Sequence, residues 1–381
     1  MNKIILCTMT GILLLSLACC TKSEKNMPGK SLTPEYSLDV TPFRPVIVND
    51  DHNSEGFLAP LKNGKIVLIF RIDPGKKGDH VGMDGYVAKI FYDPEKDEWG
   101  EAETVYNSHQ YDDRNIHGGV TKEGRVIAFF NRFDGTYTEG AYYIYSDDNG
   151  MTWSGLQPTS CAWNTCQIFY NPEIDKYITM GCQRYLISSR DGITWEDPRL
   201  ITDNQDYALS EVAGAWCGKS RMVALIRDDV PEWGHPLVQV ISFDNGQTWS
   251  EPAPANIPPM KHWGAAPQLI YDKERDLLIA LNSDRYSRPL EQNSLFICTA
   301  SPDDIFLNPT GWTLQHELKR PWAFPSLAGD RPLNQELYGY PTIAPINEKE
   351  YLVVFTERAY MDGSEQADLY YFRMSINKNN E

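Results

Sequence analysis

The feature that most constrains the fold is an eight-residue turn pattern, S-x-D-x-G-x-T-W, which recurs along the chain. It occupies residues 146–153 and 242–249, and a degraded copy occupies residues 188–195. Ser and Asp side chains can accept hydrogen bonds from nearby backbone N–H groups, and Gly permits the positive φ of a tight turn. Thr and Trp then open the next strand. The same turn after three apolar runs predicts a repeat architecture of small sheets.

The spacing of these turns sets the expected architecture. Two weaker copies, one ending at Trp99 and one beginning at Ser301, extend the series. The intervals of roughly 40 to 60 residues are near the four-strand blade period of a β-propeller. Strand-like apolar runs fill the intervals, and no long segment has helical periodicity. The sequence therefore predicts an all-β, six-bladed β-propeller over residues 41–377, in which the last strand, near residues 368–374, closes the ring with the N-terminal segment.

The N-terminus has the composition of an export signal. A short basic start precedes a mostly apolar run that is too short to span a membrane. Residues 16–19, Ser-Leu-Ala-Cys, resemble a bacterial lipobox. We expect a signal peptide over residues 1–18, lipidation of Cys19 with Cys20 as the alternative, and a flexible linker within residues 19–40. The chain is then a lipoprotein of the outer membrane, the cell surface or the periplasm.

Net charge and cysteine spacing exclude several kinds of partner. The formal net charge of −17 argues against nucleic acid and against an electrostatic membrane patch, although a local arginine cluster can still hold an anionic ligand. The seven His are scattered without metal-ligand spacing. The cysteines past the signal also lack zinc-ligand spacing: Cys161, Cys166, Cys182, Cys217 and Cys298. Cys161 and Cys166 are close enough to bridge. We expect no metal and no cofactor.

The turn pattern resembles the Asp box of the sialidase (neuraminidase) superfamily, which carries BNR repeats, and of other β-propeller proteins. Asp boxes lie on the outer turns of the blades, so the pattern implies a fold more strongly than an active site. The resemblance implies a tyrosine nucleophile, a glutamate that activates it and an aspartate that acts as acid and base. It also implies arginines that grip the carboxylate of the sugar through two-point hydrogen bonds. Sialidases are exceptions to the two-carboxylate rule for glycosidases, because a neutral tyrosine avoids repulsion by that carboxylate.

Three segments match the family's site by their order along the chain. Glu211 precedes a strand that ends in Arg227 and is followed by an Asp box, which implies Glu211 as the base and Arg227 as a clamp arginine. Arg288, with Arg285 in reserve, implies a second clamp arginine. Tyr340 implies the nucleophile.

The remaining matches lie mostly in the first half of the chain. Asp84 falls where the family keeps its acid/base aspartate, and Asp79 and His80 are near enough to compete for that role. Arg71 matches an arginine that lines the sugar pocket. His117 either lines the funnel of the propeller or serves as the general base of a lyase-like mechanism. Tyr338 is the reserve for the nucleophile.

One position departs from the family's pattern. Residues 57–60 read Phe-Leu-Ala-Pro where sialidases carry Phe/Tyr-Arg-Ile-Pro, so Leu58 replaces the arginine that Glu357 would steady. The lost charge-assisted hydrogen bond is worth on the order of 1.5–3 kcal/mol. Either Arg44 or Arg71 fills the gap, or the sugar presents its acid group differently or has none, or the protein binds glycan without cleaving it.

These observations predict a surface-anchored exo-glycosidase of sialidase type that releases a terminal, acidic, sialic-acid-like sugar with retention of configuration. Two alternatives stay open. One is a glycan-binding propeller lipoprotein without turnover. The other is a polysaccharide lyase or a non-sialidase glycosidase that uses His117. The expected partner is a glycan, with no nucleic acid and with a membrane only through the lipid anchor.

Overall fold

The computed structural model describes residues 36–74, 83–159, 166–181, 184–229, 236–258, 264–284, 294–319, 335–361 and 364–378. Strands account for nearly all of the regular structure in these residues, as the sequence predicted. The one helix among them, α1 (Pro302–Leu307), has six residues. No helix within the described ranges combines the length and the apolar character that crossing a bilayer requires.

Four sheets of four antiparallel strands follow one another along the chain. Their strands are β8 (Asp112–Val120), β9 (Val126–Phe133), β10 (Thr138–Ser146), β11 (Gln157–Pro158); β12 (Phe169–Asn171), β13 (Lys176–Gly181), β14 (Tyr185–Ser189), β15 (Glu196–Leu200); β16 (Leu209–Trp216), β17 (Met222–Asp228), β18 (Val238–Ser242), β19 (Ala253–Pro254); β20 (Gly264–Asp272), β21 (Leu277–Asp284), β22 (Ser294–Ala300) and β23 (Thr313–Lys319).

A fifth sheet of ten strands combines the two ends of the described chain. Its strands are β1 (Tyr36–Val40), β2 (Arg44–Ile47), β3 (His52–Pro60), β4 (Ile66–Asp73), β5 (Tyr86–Asp93), β6 (Glu98–Trp99), β7 (Glu103–Tyr106), β24 (Gln335–Pro345), β25 (Glu350–Met361) and β26 (Ser364–Lys378). β1 and β2 both pair with β26, so the last strand pairs with the first described segment of the chain. One parallel pair, Ala367 opposite His52, joins β26 to β3.

Neighbouring sheets bury apolar side chains against each other. Val67 of β4 shares a cluster with Phe130 of β9, and Leu225 of β17 shares one with Leu278 of β21. Each of these side chains is at most 1% exposed. Burying a side chain of this size stabilises the fold by roughly 1.5–3 kcal/mol.

The turn pattern folds as the sequence predicted. Asp148 accepts hydrogen bonds from the Thr152 backbone N–H at 2.8 Å and from the Thr152 hydroxyl at 2.6 Å, while Gly150 has φ of 79°. Asp244 accepts the same two bonds from Thr248. In the degraded copy, Asp191 accepts the Thr194 N–H at 2.7 Å. The carboxylate of each copy therefore ties its turn to the start of the next segment.

The two ends of the strands differ in chemistry. The Asp-box turns follow the third strands β10, β14 and β18, and antiparallel pairing places the beginnings of the first strands at the opposite ends. We call the ends where β3, β8, β16, β20 and β24 begin the mouth edge, and the other ends the Asp-box edge.

A β-bulge interrupts each of these five strands near the mouth edge. The register shifts fall between Ser54 and Gly56, Arg114 and His117, Leu209 and Val212, Ala265 and Gln268, and Gly339 and Thr342. A bulge bends its strand and changes the direction of the side chains in it. The five bulges therefore set which residues face the mouth.

The buried cysteines Cys166, Cys217 and Cys298 form no disulfide. Cys161 and Cys182 lie outside the described residues, as do Cys19, Cys20 and the predicted signal peptide.

Candidate active site

Glu211 and Arg227 meet at the mouth edge of one sheet. Glu211 lies in the bulge of β16, and Arg227 lies near the end of β17. Arg227 Nη1 donates to Glu211 Oε2 at 2.9 Å, and the backbone N–H of Ala266, in the bulge of β20, donates to the same oxygen at 2.8 Å. Asp229 forms a second ion pair with Arg227, with Oδ1 2.6 Å from Nε. Two sheets thus fix the carboxylate of Glu211.

The charge of Arg227 is stabilised by its neighbours. Burial opposes the charge, but Glu211, Asp229 and Tyr340 together raise the pKa of Arg227 above its usual value. The guanidinium is therefore a fixed cation, and Tyr340 is close enough to affect it. The predicted base therefore contacts the predicted clamp arginine, and the predicted nucleophile lies within electrostatic range of that arginine.

Tyr340 occupies the bulge of β24 in an uncommon backbone conformation. Its φ is 47°, in the left-handed region, and only 8% of the residue is exposed. A tyrosine held there costs on the order of 1–3 kcal/mol, and such outliers concentrate at functional sites. Tyr338, the reserve for this role, pairs in register with Glu357 of β25. Glu357 itself is fully buried.

Arg71 lies at the end of β4 and is 1% exposed. Its Nε donates to Asp112 at 2.8 Å, its Nη2 donates to Asp73 at 3.0 Å, and its Nη1 lies 3.3 Å from Nδ1 of His52. Burial opposes its charge, but Asp112 and other carboxylates raise the pKa of Arg71. All three guanidinium nitrogens thus have protein partners.

Glu55 is a site residue that our sequence analysis missed. It lies in the bulge of β3 with φ of 49°, is 3% exposed and accepts the backbone N–H of Asn115 at 2.6 Å. Its charge acts on Arg71 and on His117. The sequence feature that could have identified Glu55 is its position directly before Gly56, at the start of an apolar strand.

His117 lies on β8 within electrostatic range of Glu55 and Glu211. Burial lowers its pKa to about 4, and the charges of Glu55 and Glu211 offset only part of this effect. The imidazole is therefore neutral at physiological pH. It is 3% exposed.

Asp84 lies beside the Arg71 cluster. Its neighbour Gly85 accepts a hydrogen bond from the backbone of Asp113 at 2.8 Å, and a Cβ on Gly85 would lie only 1.9 Å from Asp112 Oδ1. Asp84 itself is exposed. The predicted acid/base residue thus lies at the mouth edge and is accessible to solvent. Asp79, His80, Arg285 and Arg288 fall outside the described residues.

The position of the missing clamp arginine is apolar. Leu58 is 0% exposed and packs in a cluster with Phe70 and Leu352. Arg44 forms an ion pair with Asp97, in the turn after β5 at the Asp-box edge, so it lies away from the mouth. Of the two proposed substitutes, only Arg71 reaches the mouth.

No group of three or more His, Cys, Asp or Glu within the described ranges has the arrangement to hold a metal ion. A cavity of about 470 Å³ lies at the Asp-box ends of β12, β16 and β20, with Tyr170, Trp216 and Tyr271 in its wall. It contains none of the predicted site residues. The candidate chemistry therefore lies at the mouth.

Comparisons with known proteins support the all-β repeat fold. A family model described as a BNR repeat-like domain matches residues 86–348. No curated protein matches the chain. A protein of unknown function from Dyadobacter fermentans DSM 18053 superposes with a TM-score of 0.70 at 14% identity, covering 90% of this chain and 100% of that one.

Two solved sialidase structures are also similar. The NanB sialidase from Streptococcus pneumoniae gives a TM-score of 0.61 at 10% identity, covering 87% of this chain and 70% of that one. The intramolecular trans-sialidase from Ruminococcus gnavus gives 0.60 at 12% identity, covering 85% and 94%. At these identities the likeness shows a shared fold.

Proposed function

The chain belongs to the BNR repeat-like domain family, within the Asp-box propellers of the sialidase superfamily, and from this premise we propose that it is a surface-anchored exo-glycosidase. It would release a terminal sugar from external glycans. The observation that carries the proposal is the 2.9 Å contact between Arg227 and Glu211, with Tyr340 within electrostatic reach. These residues come from distant parts of the chain, and packing of sheets alone does not require this combination of groups.

The mechanism assigns one role to each group. Glu211 takes the phenolic proton of Tyr340, and the phenolate oxygen attacks the anomeric carbon while the bond to the leaving oxygen breaks. Asp84 protonates that oxygen, then takes a proton from the water that displaces Tyr340. Two displacements at one carbon retain its configuration. Arg227 holds Glu211 in place.

We also propose that the sheets form six blades. The ten-stranded sheet contains two antiparallel stacks, β24–β26 and β3–β7, which are joined by a single parallel pair. Counting these stacks separately and adding the four smaller sheets gives six. This count supports the ring over residues 41–377 that the repeat spacing predicts.

The resemblance assigns a further role to the arginines. Arg227 and Arg288, with Arg285 in reserve, would form an anion clamp for an acidic, sialic-acid-like sugar. Arg71 and Glu357 would line the pocket of that sugar. This assignment requires that the sugar carries a negative charge.

Glycosidase chemistry explains the site better than the lyase alternative. A lyase needs a base that abstracts a proton from carbon, and a buried His117 with a pKa of about 4 is a weak base. Binding without turnover remains the competing function. It would need none of the three catalytic groups.

The lipid anchor is a separate proposal. We place the signal peptide at residues 1–18 and lipidation at Cys19. Labelling with radioactive palmitate tests this: a Cys19→Ala, Cys20→Ala double variant should lose the label, and continued labelling would disprove the anchor.

Turnover of a panel of aryl glycosides, including an aryl sialoside, tests the activity. We expect hydrolysis by the wild type and a loss of at least about 100-fold in Tyr340→Phe and in Asp84→Ala. Unchanged far-ultraviolet circular dichroism would show that both variants fold. Glycan binding without turnover of any aryl glycoside would favour the binding protein instead.

A further inference from the structure

The arginines at the mouth already hold carboxylates of the protein. Arg71 contacts Asp112 and Asp73 at 2.8 and 3.0 Å, and its third nitrogen lies 3.3 Å from His52. Arg227 contacts Glu211 and Asp229 at 2.9 and 2.6 Å. A clamp for a substrate carboxylate needs guanidinium nitrogens that point to the ligand with unused donors. Five of the six guanidinium nitrogens of these two arginines lie within 3.3 Å of a protein carboxylate or of His52.

Negative groups outnumber positive ones around these arginines. Around Arg71 and Arg227, the described side chains at the mouth include six carboxylates and one further cation, Arg114, which lies 4.0 Å from Asp112. Those carboxylates are Glu55, Asp73, Asp84, Asp112, Glu211 and Asp229. His117 adds no positive charge at neutral pH. An anionic sugar would approach a site of its own sign, on a chain whose net charge is −17.

The position that gives sialidases a further cation contributes none here. Leu58 is enclosed in an apolar cluster, and Arg44 pairs with Asp97 at the far edge. A sugar without a carboxylate does not need that grip. Carboxylates accept hydrogen bonds from hydroxyl groups, so an acidic wall suits a ligand rich in hydroxyls.

We propose that the terminal sugar bound at the mouth is an uncharged, hydroxyl-rich pyranose, with Asp229 as an acceptor for its hydroxyl groups. Asp229 combines contact with Arg227 and solvent access, with 34% of its side chain exposed. This inference rests on the proposed function for the location of the site. The assignments of Tyr340, Glu211 and Asp84 are compatible with it, because attack at the anomeric carbon does not require a carboxylate on that carbon.

Substrate preference is the first test. Initial rates would be measured with the 4-methylumbelliferyl glycosides of galactose, glucose, mannose, fucose and N-acetylneuraminic acid. We expect at least one neutral glycoside to exceed the sialoside by 100-fold or more in kcat/KM. A sialoside that is the best substrate would overturn the proposal.

A charge variant is the second test. Asp229→Asn removes one of the two carboxylates on Arg227 but keeps a side chain of similar shape. We expect it to weaken binding of the neutral methyl glycosides at least fivefold. We also expect it to tighten binding of the anion 2-deoxy-2,3-didehydro-N-acetylneuraminic acid at least fivefold at low salt, with a smaller gain at high salt. Glu274→Gln, an equal change of charge at an exposed residue in the turn after β20 at the Asp-box edge, is the matched control and should change neither affinity.

The two tests separate the substrate class from the catalytic activity. Binding of neutral glycosides without turnover would leave the substrate class standing and disprove the hydrolase. Turnover of the sialoside with tight binding of its planar analogue would support the hydrolase and disprove the substrate class. Binding of neither kind of sugar by the wild type would also disprove the substrate class.

Discussion

Arg227 joins the bulge of β16 to the end of β17 through its 2.9 Å hydrogen bond to Glu211. This bond and the backbone N–H of Ala266, which donates to the same oxygen from the next sheet, fix the direction of the carboxylate. A base held in this way does not need to reorganise before it accepts a proton.

Glu211→Gln should remove activity and preserve the fold. Glutamine keeps an acceptor for the Ala266 N–H, and Asp229 still pairs with Arg227, whereas the proton acceptor is lost. We expect kcat to fall by about 10²–10⁴ on the best aryl glycoside. The exposed Glu196 provides the control, and Glu196→Gln should retain full activity. A Glu211→Gln enzyme with more than a third of wild-type kcat would show that another group is the base.

Gly85→Ala should disturb the mouth through crowding. The added Cβ would lie 1.9 Å from Asp112 Oδ1 and 2.6 Å from Arg71 Nε, so the buried ion pair must move. We expect the free energy of unfolding in urea to fall by about 1–3 kcal/mol, together with a loss of turnover because Asp84 is the adjacent residue. At Gly100 the nearest atom to an added Cβ is 3.7 Å away, so Gly100→Ala should change stability by less than about 1 kcal/mol. Equal effects of the two changes would contradict the packing argument.

Asp113 should make the stability of the fold depend on pH. Burial raises the pKa of its carboxyl to about 7, although the Ser108 backbone N–H works in the opposite direction. Because the folded protein then binds a proton that the unfolded chain has released, stability falls as pH rises from about 4 to 7. Asp113→Asn should lack this loss. The difference in free energy of unfolding between this variant and the wild type should therefore rise, in favour of the variant, by up to about 4 kcal/mol between pH 4 and pH 7. Urea titrations at pH 4, 5.5, 7 and 8 would measure it. A constant difference between the two proteins would refute the prediction.

Asp148 should have the opposite dependence. Hydrogen bonds from the Thr152 hydroxyl and backbone lower its pKa to about 2. Its ionised form therefore stabilises the fold above pH 4, and this contribution is lost as pH falls from 4 to 2. We expect Asp148→Asn to lower Tm at pH 6, with a gap to the wild type that closes towards pH 2. Activity should not change. Asp203→Asn, at an exposed loop residue, should show no such closing gap; if it does, the effect is not specific to the Asp box.

Sequence was sufficient where a structure depends on local hydrogen bonds. The turn at Asp148 is specified by eight consecutive residues, and its copies at Asp191 and Asp244 fold in the same way. The degraded copy folds despite its altered residues because Ser189 and Thr194 retain the bonding groups.

The two weakest copies of the turn pattern are held by different hydrogen bonds. The predicted copy at Ser301 caps the short helix α1, where its side chain accepts the Asp304 N–H. The turn before Trp99 is held by a hydrogen bond between Tyr92 and Asp97, a pairing that recurs between Tyr271 and Asp276 at 2.7 Å. A tyrosine that bonds an aspartate five residues later is therefore a second turn device of this chain.

The residues at the mouth were harder to predict, because the strand register decides which side chains face it. Glu55 and Asn115 face each other only because β3 and β8 both slip at a bulge, and a bulge is set by the partner strand. Matching to a family located Glu211, Arg227 and Tyr340. It did not reveal that Asp73 and Asp112 accept hydrogen bonds from Arg71, because Asp112 lies on β8, in a different sheet from Arg71.

Tyr36 is the register partner of Lys378, so the first and last described residues lie side by side on one sheet. A short peptide could connect them directly, and the backbone could then be opened at a surface turn such as residues 122–124. A circular permutant of this kind should keep every strand pairing of the parent. Its new ends would lie on a different sheet from the one that holds Tyr36 and Lys378.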